Sequence, residues 1–131
     1  MIQTKSDRSE LIAAARAVVG EFKLREEGLA AGGVGAAIRT SQGNIYTGIC
    51  LDLSCGLGFC AEVAAVAKML EQRETRIEAV VAVGGETIMP PCGRCRETIA
   101  QVDAHNLDCK VILAPDREVT LRELLPEYWL A

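Results

Sequence analysis

Apolar positions at helical spacing open the chain: Leu11, Ile12, Ala15, Val18, Val19 and Phe22 follow Ser6-Asp7, a plausible cap. This predicts a helix over about 7–27, ended at Gly28. A β-branched and small-residue run then predicts a strand at 33–40, with Ser41-Gln42-Gly43 as a tight turn and an antiparallel partner at 44–49. Residues 50–59 show no period and read as a loop. An Ala-, Val-, Met- and Leu-rich stretch at 60–73 predicts a strong helix, and the mostly apolar run at 77–83 a strand closed by Gly84-Gly85. Pro90-Pro91 forces an extended entry into a helix from Gly93 to about 103. Two further strands are predicted at 109–114 and 119–121. A helical turn at 121–125 is stopped by Pro126. Strands separated by helices after an opening hairpin imply an α/β fold, a mixed sheet flanked by helices, within one domain over 1–131. No internal repeat, linker or low-complexity segment interrupts the pattern.

Composition narrows the partners. Half of the residues are hydrophobic, enough for a real core, but only 4% are aromatic, so small side chains must let helices and sheet approach closely. The formal net charge is -4, with both signs interspersed. That leaves no basic stripe for a nucleic-acid polymer and favours a free small molecule as substrate. No apolar run reaches the length of a membrane span. Met1-Ile2-Gln3-Thr4-Lys5-Ser6-Asp7 lacks the apolar core of a signal peptide, so the expected location is the cytoplasm. In a reducing compartment six cysteines point to metal binding or free thiols rather than disulfides.

Three of those cysteines form a pattern. Cys60-Ala61-Glu62 is answered by Pro91-Cys92-Gly93-Arg94-Cys95-Arg96. Three thiolates can hold one Zn²⁺ and leave its fourth tetrahedral position to water. Glu62 sits two residues from the first thiolate, close enough to handle that water's proton without being a ligand. The spacing matches the deaminase signature of Cys- or His-x-Glu followed by Pro-Cys-x-x-Cys. Cys60 opens one predicted helix and Cys92 and Cys95 the next, where the positive end of the helix favours thiolate. Three thiolates on one Zn²⁺ leave a net charge of minus one, which Arg94 and Arg96 are expected to offset by hydrogen bonds to sulfur. Glu62 is expected to be shielded from bulk water, with its pKa tuned towards neutrality.

Together with Val34-Gly35-Ala36-Ala37 and Glu123-Leu124-Leu125-Pro126, these motifs resemble the small zinc-dependent cytidine deaminase family over about 33–129. Pro-Cys-Gly-Arg-Cys-Arg with Arg122-Glu123-Leu124-Leu125-Pro126 and a nearby Tyr and Trp is similar to its blasticidin S deaminase branch. The resemblance implies a cytidine-deaminase-like three-layer fold with a five-stranded mixed sheet. It also implies one Zn²⁺ per subunit, hydrolysis of the C–N bond of a cyclic amidine, a role in pyrimidine salvage, and a homotetramer whose active sites borrow residues from neighbours. Where many relatives carry Arg after Cys-Ala-Glu, this chain has Val63. Three departures bear on the substrate. The Asn-x-Glu that holds the ribose is replaced by Cys50-Leu51-Asp52, the Tyr-Ser segment before the Val-Gly-Ala-Ala strand by Leu29-Ala30-Ala31-Gly32-Gly33, and the terminal Phe by Tyr128-Trp129. Candidate substrate contacts are therefore Cys50, Asp52, Ala61, Tyr128 and Trp129.

Several readings stay open at this level. A structural zinc site would need a fourth ligand, which Cys55 or Cys109 could supply. Asp52 reads equally as a sugar contact or a loop residue, Tyr128 and Trp129 as a subunit interface or a cover for a bound base, and Cys50 and Cys55 as packing. His105 reads as a solvated loop residue. The candidate functions are a cytosine-nucleoside deaminase acting on cytidine or deoxycytidine, a blasticidin S deaminase conferring antibiotic resistance, and a non-catalytic zinc-stabilised binding module.

Overall fold

The structure is a computed structural model and describes residues 2–131; Met1, part of the segment read for a signal peptide, lies outside them. Five strands carry the sheet: β2 (Ala30–Thr40), β3 (Ile45–Asp52), β4 (Ile77–Gly84), β6 (Lys110–Ala114) and β7 (Arg117–Thr120). Their spatial order is β3-β2-β4-β6-β7, and only the β4–β6 pair is parallel. Two short strands make the total seven rather than the expected five. β1 (Phe22–Lys23) pairs with the start of β2, and β5 (Thr87–Met89) folds back on the end of β4.

Strand alternation divides the core between the two faces. Ala37, Ala79, Val81, Val83 and Ile112 face helix α1 (Lys5–Ala17) and meet its Leu11, Ile12 and Ala15. Ile38, Val80 and Val111 face the other way, against Ala65, Val66 and Met69 of α2 (Ala61–Glu71) and Ile99 and Ala100 of α3 (Gly93–Val102). A 3₁₀ turn (Ala104–Asp108) and the short α4 (Leu121–Leu124) complete that second layer, which makes three layers in all. Gly48 of β3 sets the height of α2. A methyl group there would stand 2.4 Å from the Ala65 nitrogen and 2.6 Å from the Ala61 carbonyl, so only glycine lets the helix lie this close to the strand.

The first helix departs most from expectation. It begins on Thr4, whose hydroxyl accepts from the Asp7 N–H in a capping box, and it stops at Ala17 rather than near 27. Gly20 then donates to the Gly32 carbonyl at 2.8 Å, and Phe22 and Lys23 pair with Ala31 and Ala30. Phe22 had matched the helical period, yet it is 52% exposed on a strand. β2 starts at residue 30 and β3 runs to residue 52, so both strands reach further towards the 53–59 loop than the periodicity implied.

Away from the cysteine-bearing end, Glu74 anchors the β2–β3 hairpin to the turn after α2. It is 6% exposed and accepts from Asn44 Nδ2 at 2.9 Å and from the Tyr46 hydroxyl. Side-chain hydrogen bonds, led by Thr40 and then Tyr46, hold its pKa below the ordinary 4.5. A depressed carboxylate adds stability above its unfolded pKa and loses it as pH falls through the folded value. Tyr46→Phe should therefore cost more stability at neutral pH than at about pH 3, with the two stability–pH curves converging in acid. Denaturant unfolding across that range checks this.

Candidate active site

Both cysteine motifs sit at helix starts, on one end of the second layer. Cys60 is the N-cap of α2 and Cys92 the N-cap of α3, with Cys95 in the first turn of α3. Thr4 and Thr120 use their side chains to cap their own helices, but neither cysteine makes a side-chain capping bond. Their sulfurs are left to face each other. Cys60 Sγ lies 3.4 Å from Cys92 Sγ, and Cys92 Sγ 3.6 Å from Cys95 Sγ, all three within 4.8 Å. A tetrahedral zinc with Zn–S bonds of about 2.3 Å sets its sulfurs about 3.8 Å apart, so the observed cluster needs only slight expansion to fit the ion.

The charges agree with that fit. Burial, followed by the Cys92 sulfur, raises the Cys60 pKa. Cys95 is raised strongly by burial and then by the negative Glu62. For Cys92, burial also pushes upwards, but the Cys95 N–H, the Cys60 and Cys95 thiols and the Arg94 N–H together outweigh it and lower the value. Three sulfurs this close ionise together only around a cation. No fourth cysteine, histidine or carboxylate joins the cluster among the described residues. Cys109 is packed in the core, its pKa pushed up to about 12 by burial, and Cys55 is exposed in the 53–59 loop. Among the described residues the cluster offers three sulfur ligands to one ion, one fewer than a four-thiolate structural site needs.

Glu62 follows one residue into α2 and is 5% exposed, with burial raising its pKa above the ordinary carboxylate value. It lines a cleft of about 650 Å³ together with Cys60, Cys92, Ala61, Cys50 and Asp52. That is the size of a small-molecule site. Ala36, Ala61 and Ala82 pack with Cys50 beside it, where small side chains leave the room. Cys50 Sγ accepts the Val34 N–H at 3.3 Å and lies 3.8 Å from Asp52 Oδ2, and Asp52 itself is exposed on the cleft wall.

The arginines act differently from expectation: their hydrogen bonds go to main-chain carbonyls instead of sulfur. Arg94, on the cleft wall, donates to the Gly58 carbonyl at 3.2 Å. Arg96 donates to the Pro91 carbonyl at 2.8 Å and the Leu124 carbonyl at 3.0 Å, tying the motif to α4. The Cys92 sulfur is left to the N–H groups of Arg94 and Cys95 at the start of α3. The terminal aromatics also lie elsewhere. Tyr128 packs against the core of the second layer, and Trp129 is 82% exposed, its N–H donating to Glu97 Oε1 at 3.1 Å. Neither lines the chain's own cleft. His105 is exposed and bonds to Asp103, apart from the site. The sequence reading missed Glu21, Phe59 and Met89, which also line the cleft. Glu21 was hidden by the overlong helix, although Gly20, just after Val18-Val19, was a stop signal.

A mixed sheet with helices on both faces, carrying three clustered cysteines and a buried glutamate at two helix starts, defines a zinc-dependent hydrolytic deaminase. Residues 7–110 match the model of the cytidine and deoxycytidylate deaminase zinc-binding region. Over 96 residues the chain is 34% identical to a cytidine deaminase of Mycobacterium tuberculosis, covering 72% of this chain and 70% of that one. It is 29% identical over 106 residues to a blasticidin-S deaminase of Bacillus cereus, covering 71% and 74% respectively. The crystal structure of cytidine deaminase from M. tuberculosis superposes with a TM-score of 0.78 at 28% identity, covering 94% of this chain and 97% of that one. The chain belongs to the cytidine and deoxycytidylate deaminase family.

Cys92→Ser or Cys95→Ser should abolish the thiolate-to-metal absorption of the Co²⁺-substituted protein, with metal content falling from one ion per chain towards zero. Cys55→Ser and Cys109→Ser should leave both unchanged. Absorption spectroscopy and metal analysis read the outcome.

Proposed function

We propose that this chain, acting as a single domain, deaminates a cytosine nucleoside, cytidine or deoxycytidine, giving the uracil product and ammonia with consumption of one water. The observation that carries the reading is Glu62, a buried carboxylate two residues beyond Cys60 on the wall of the cleft that Cys60 and Cys92 also line. Cys60, Cys92 and Cys95 would hold the zinc, which when bound supplies a water acidified towards neutrality. Glu62 then accepts that water's proton, delivers it to the pyrimidine ring nitrogen, and assists the departing amine. Burial suits it to this shuttle, because a carboxylate with a raised pKa gives up a proton as well as it takes one. Ala61 and Cys50 shape the ring pocket, and Asp52 accepts from a group on the ring substituent. Arg94 and Arg96 support the ligands by fixing the loop and tail around them.

A blasticidin-type substrate is the second reading. It is favoured by Cys50, whose sulfur offers a sugar no amide and already accepts the Val34 N–H. The third reading, a structural zinc module, needs a fourth ligand, but Cys109 is buried among the second layer's core residues and neither it nor Cys55 joins the cluster. The protein is read as a homotetramer, because Trp129 and Leu130 leave an apolar tail in solvent that a neighbouring copy would cover. It is read as cytoplasmic, because its thiols must stay reduced to bind metal.

Zinc-loaded protein should release ammonia from cytidine or deoxycytidine. Glu62→Gln should lower kcat by about 10²- to 10⁴-fold with zinc content intact. Loss of zinc with loss of rate would instead make Glu62 structural, and turnover confined to blasticidin S would select the second reading. Light scattering should give four chains per particle, and Trp129→Ala should shift it to smaller species.

A further inference from the structure

Two of the three sulfurs are placed by local chain geometry, and the third is not. Cys92 caps α3 and Cys95 lies in its first turn, so the start of one helix fixes their separation. Cys60 comes from the start of α2, 32 residues before Cys92, and its 3.4 Å approach to that sulfur depends on how the two helix starts are placed. The peptide just before Cys60 is pinned to do this. Leu51 and Phe59 exchange both backbone hydrogen bonds at 2.9 Å, which closes residues 52–58 into a loop and lays Gly58-Phe59 along the end of β3.

Gly58 permits that contact. A methyl group there would stand 2.2 Å from the Leu51 carbonyl oxygen and 3.2 Å from the Leu53 nitrogen, the tightest approach at any glycine of the chain. Both neighbours are backbone, so neither can swing aside. The φ of Gly58 lies outside the left-handed region, so the position requires glycine for space and not for conformation. On its other side the Gly58 carbonyl accepts Arg94 Nη1 at 3.2 Å. Arg94 stands between Cys92 and Cys95 in the chain, so this bond joins the peptide two residues before one sulfur to the side chain two residues after another. Gly58 is thus held by β3 and by α3 at once, with Cys60 only two residues further on.

We propose that Gly58 is a positioning residue of the metal site: without touching the ion, it sets where Cys60 meets Cys92 and so how firmly the three sulfurs retain zinc. An added methyl must lift the segment off Leu51, which moves the Gly58 carbonyl out of reach of Arg94 and displaces the Cys60 backbone. Cys92 and Cys95 keep their geometry, because one helix carries both, so the loss falls on a single ligand. This role rests on the zinc site of the deaminase reading and is scored by metal exchange, so it can fail while the deaminase stands.

The test is zinc transfer from the loaded chain to a chromophoric chelator, read beside the absorption spectrum of the Co²⁺-substituted protein and denaturant unfolding. Gly58→Ala should release zinc at least about tenfold faster than the wild type and weaken the thiolate-to-Co²⁺ absorption. Arg94→Met cuts the same link from the other side, leaves the contact of Gly58 with β3 in place, and should also speed release. In the Gly58→Ala background Arg94→Met should add less than about threefold, because both changes break one bond. Tyr46→Phe, which weakens the fold away from the cysteines, should leave zinc transfer unchanged. Release within about threefold of the wild type in both variants overturns the proposal, as do effects of the two that simply multiply. Equal acceleration by Tyr46→Phe overturns it too, since zinc loss would then follow global stability. Should Gly58→Ala fail to fold, Arg94→Met against Tyr46→Phe decides on the same criteria. Turnover of cytidine and deoxycytidine by the wild-type chain is scored separately. Zinc retention that depends on Gly58, without turnover of either, keeps the positioning role and removes the deaminase.

Discussion

Mutual repulsion of three sulfurs is the constraint around which the molecule is built. Cysteines at 3.4 and 3.6 Å separation resist joint ionisation, and their environment answers with the positive ends of two helices and room for one cation. Everything that fixes those helix ends therefore bears on the chemistry. α2 is seated by Gly48 against β3, and α3 is entered through the rigid Pro90-Pro91. The starts of α2 and α3 meet because both helices lie on one face of the same sheet, over Ile38, Val80 and Val111. A capping serine or aspartate at position 60 or 92 would satisfy the helix and forfeit the metal, which is why the capping role goes unfilled there.

The second consequence is a division of labour between charge and packing. Beside Glu62 the cleft is walled by small side chains, so shape there comes from what is missing, with Ala61 and Ala82 leaving space beside a buried carboxylate. Charge is concentrated at the metal floor and along the wall formed by Glu21 and Asp52. Arg94 and Arg96 spend their donors on carbonyls, so they contribute rigidity more than compensation.

Much of this could be read from the residues in order. Cys60-Ala61-Glu62 and Pro91-Cys92-x-x-Cys95 carry their chemistry in local spacing, because helix starts convert sequence distance directly into spatial position. The five strands of the sheet's main path were visible as apolar or small-residue runs set apart by turns or helical stretches. What escaped was set by contacts distant in sequence. β1 is two residues long and exists only because Gly32 and Gly33 leave β2 uncovered, so no period announces it, and Glu21 escaped with it. β5 likewise depends on the end of β4. The fates of Arg94, Arg96 and Trp129 were decided by which carbonyl or carboxylate lay within reach, information that residue type does not hold.

Arg96 couples the far end of the chain to the metal helix. One guanidinium grips the carbonyl before Cys92 and a carbonyl in α4, only five residues from Trp129. The terminal segment is thus a lever on the metal site rather than a loose appendage. A force that lifts the tail is transmitted through α4 to the peptide that aims Cys92, so the seating of the tail also sets the pitch of that sulfur.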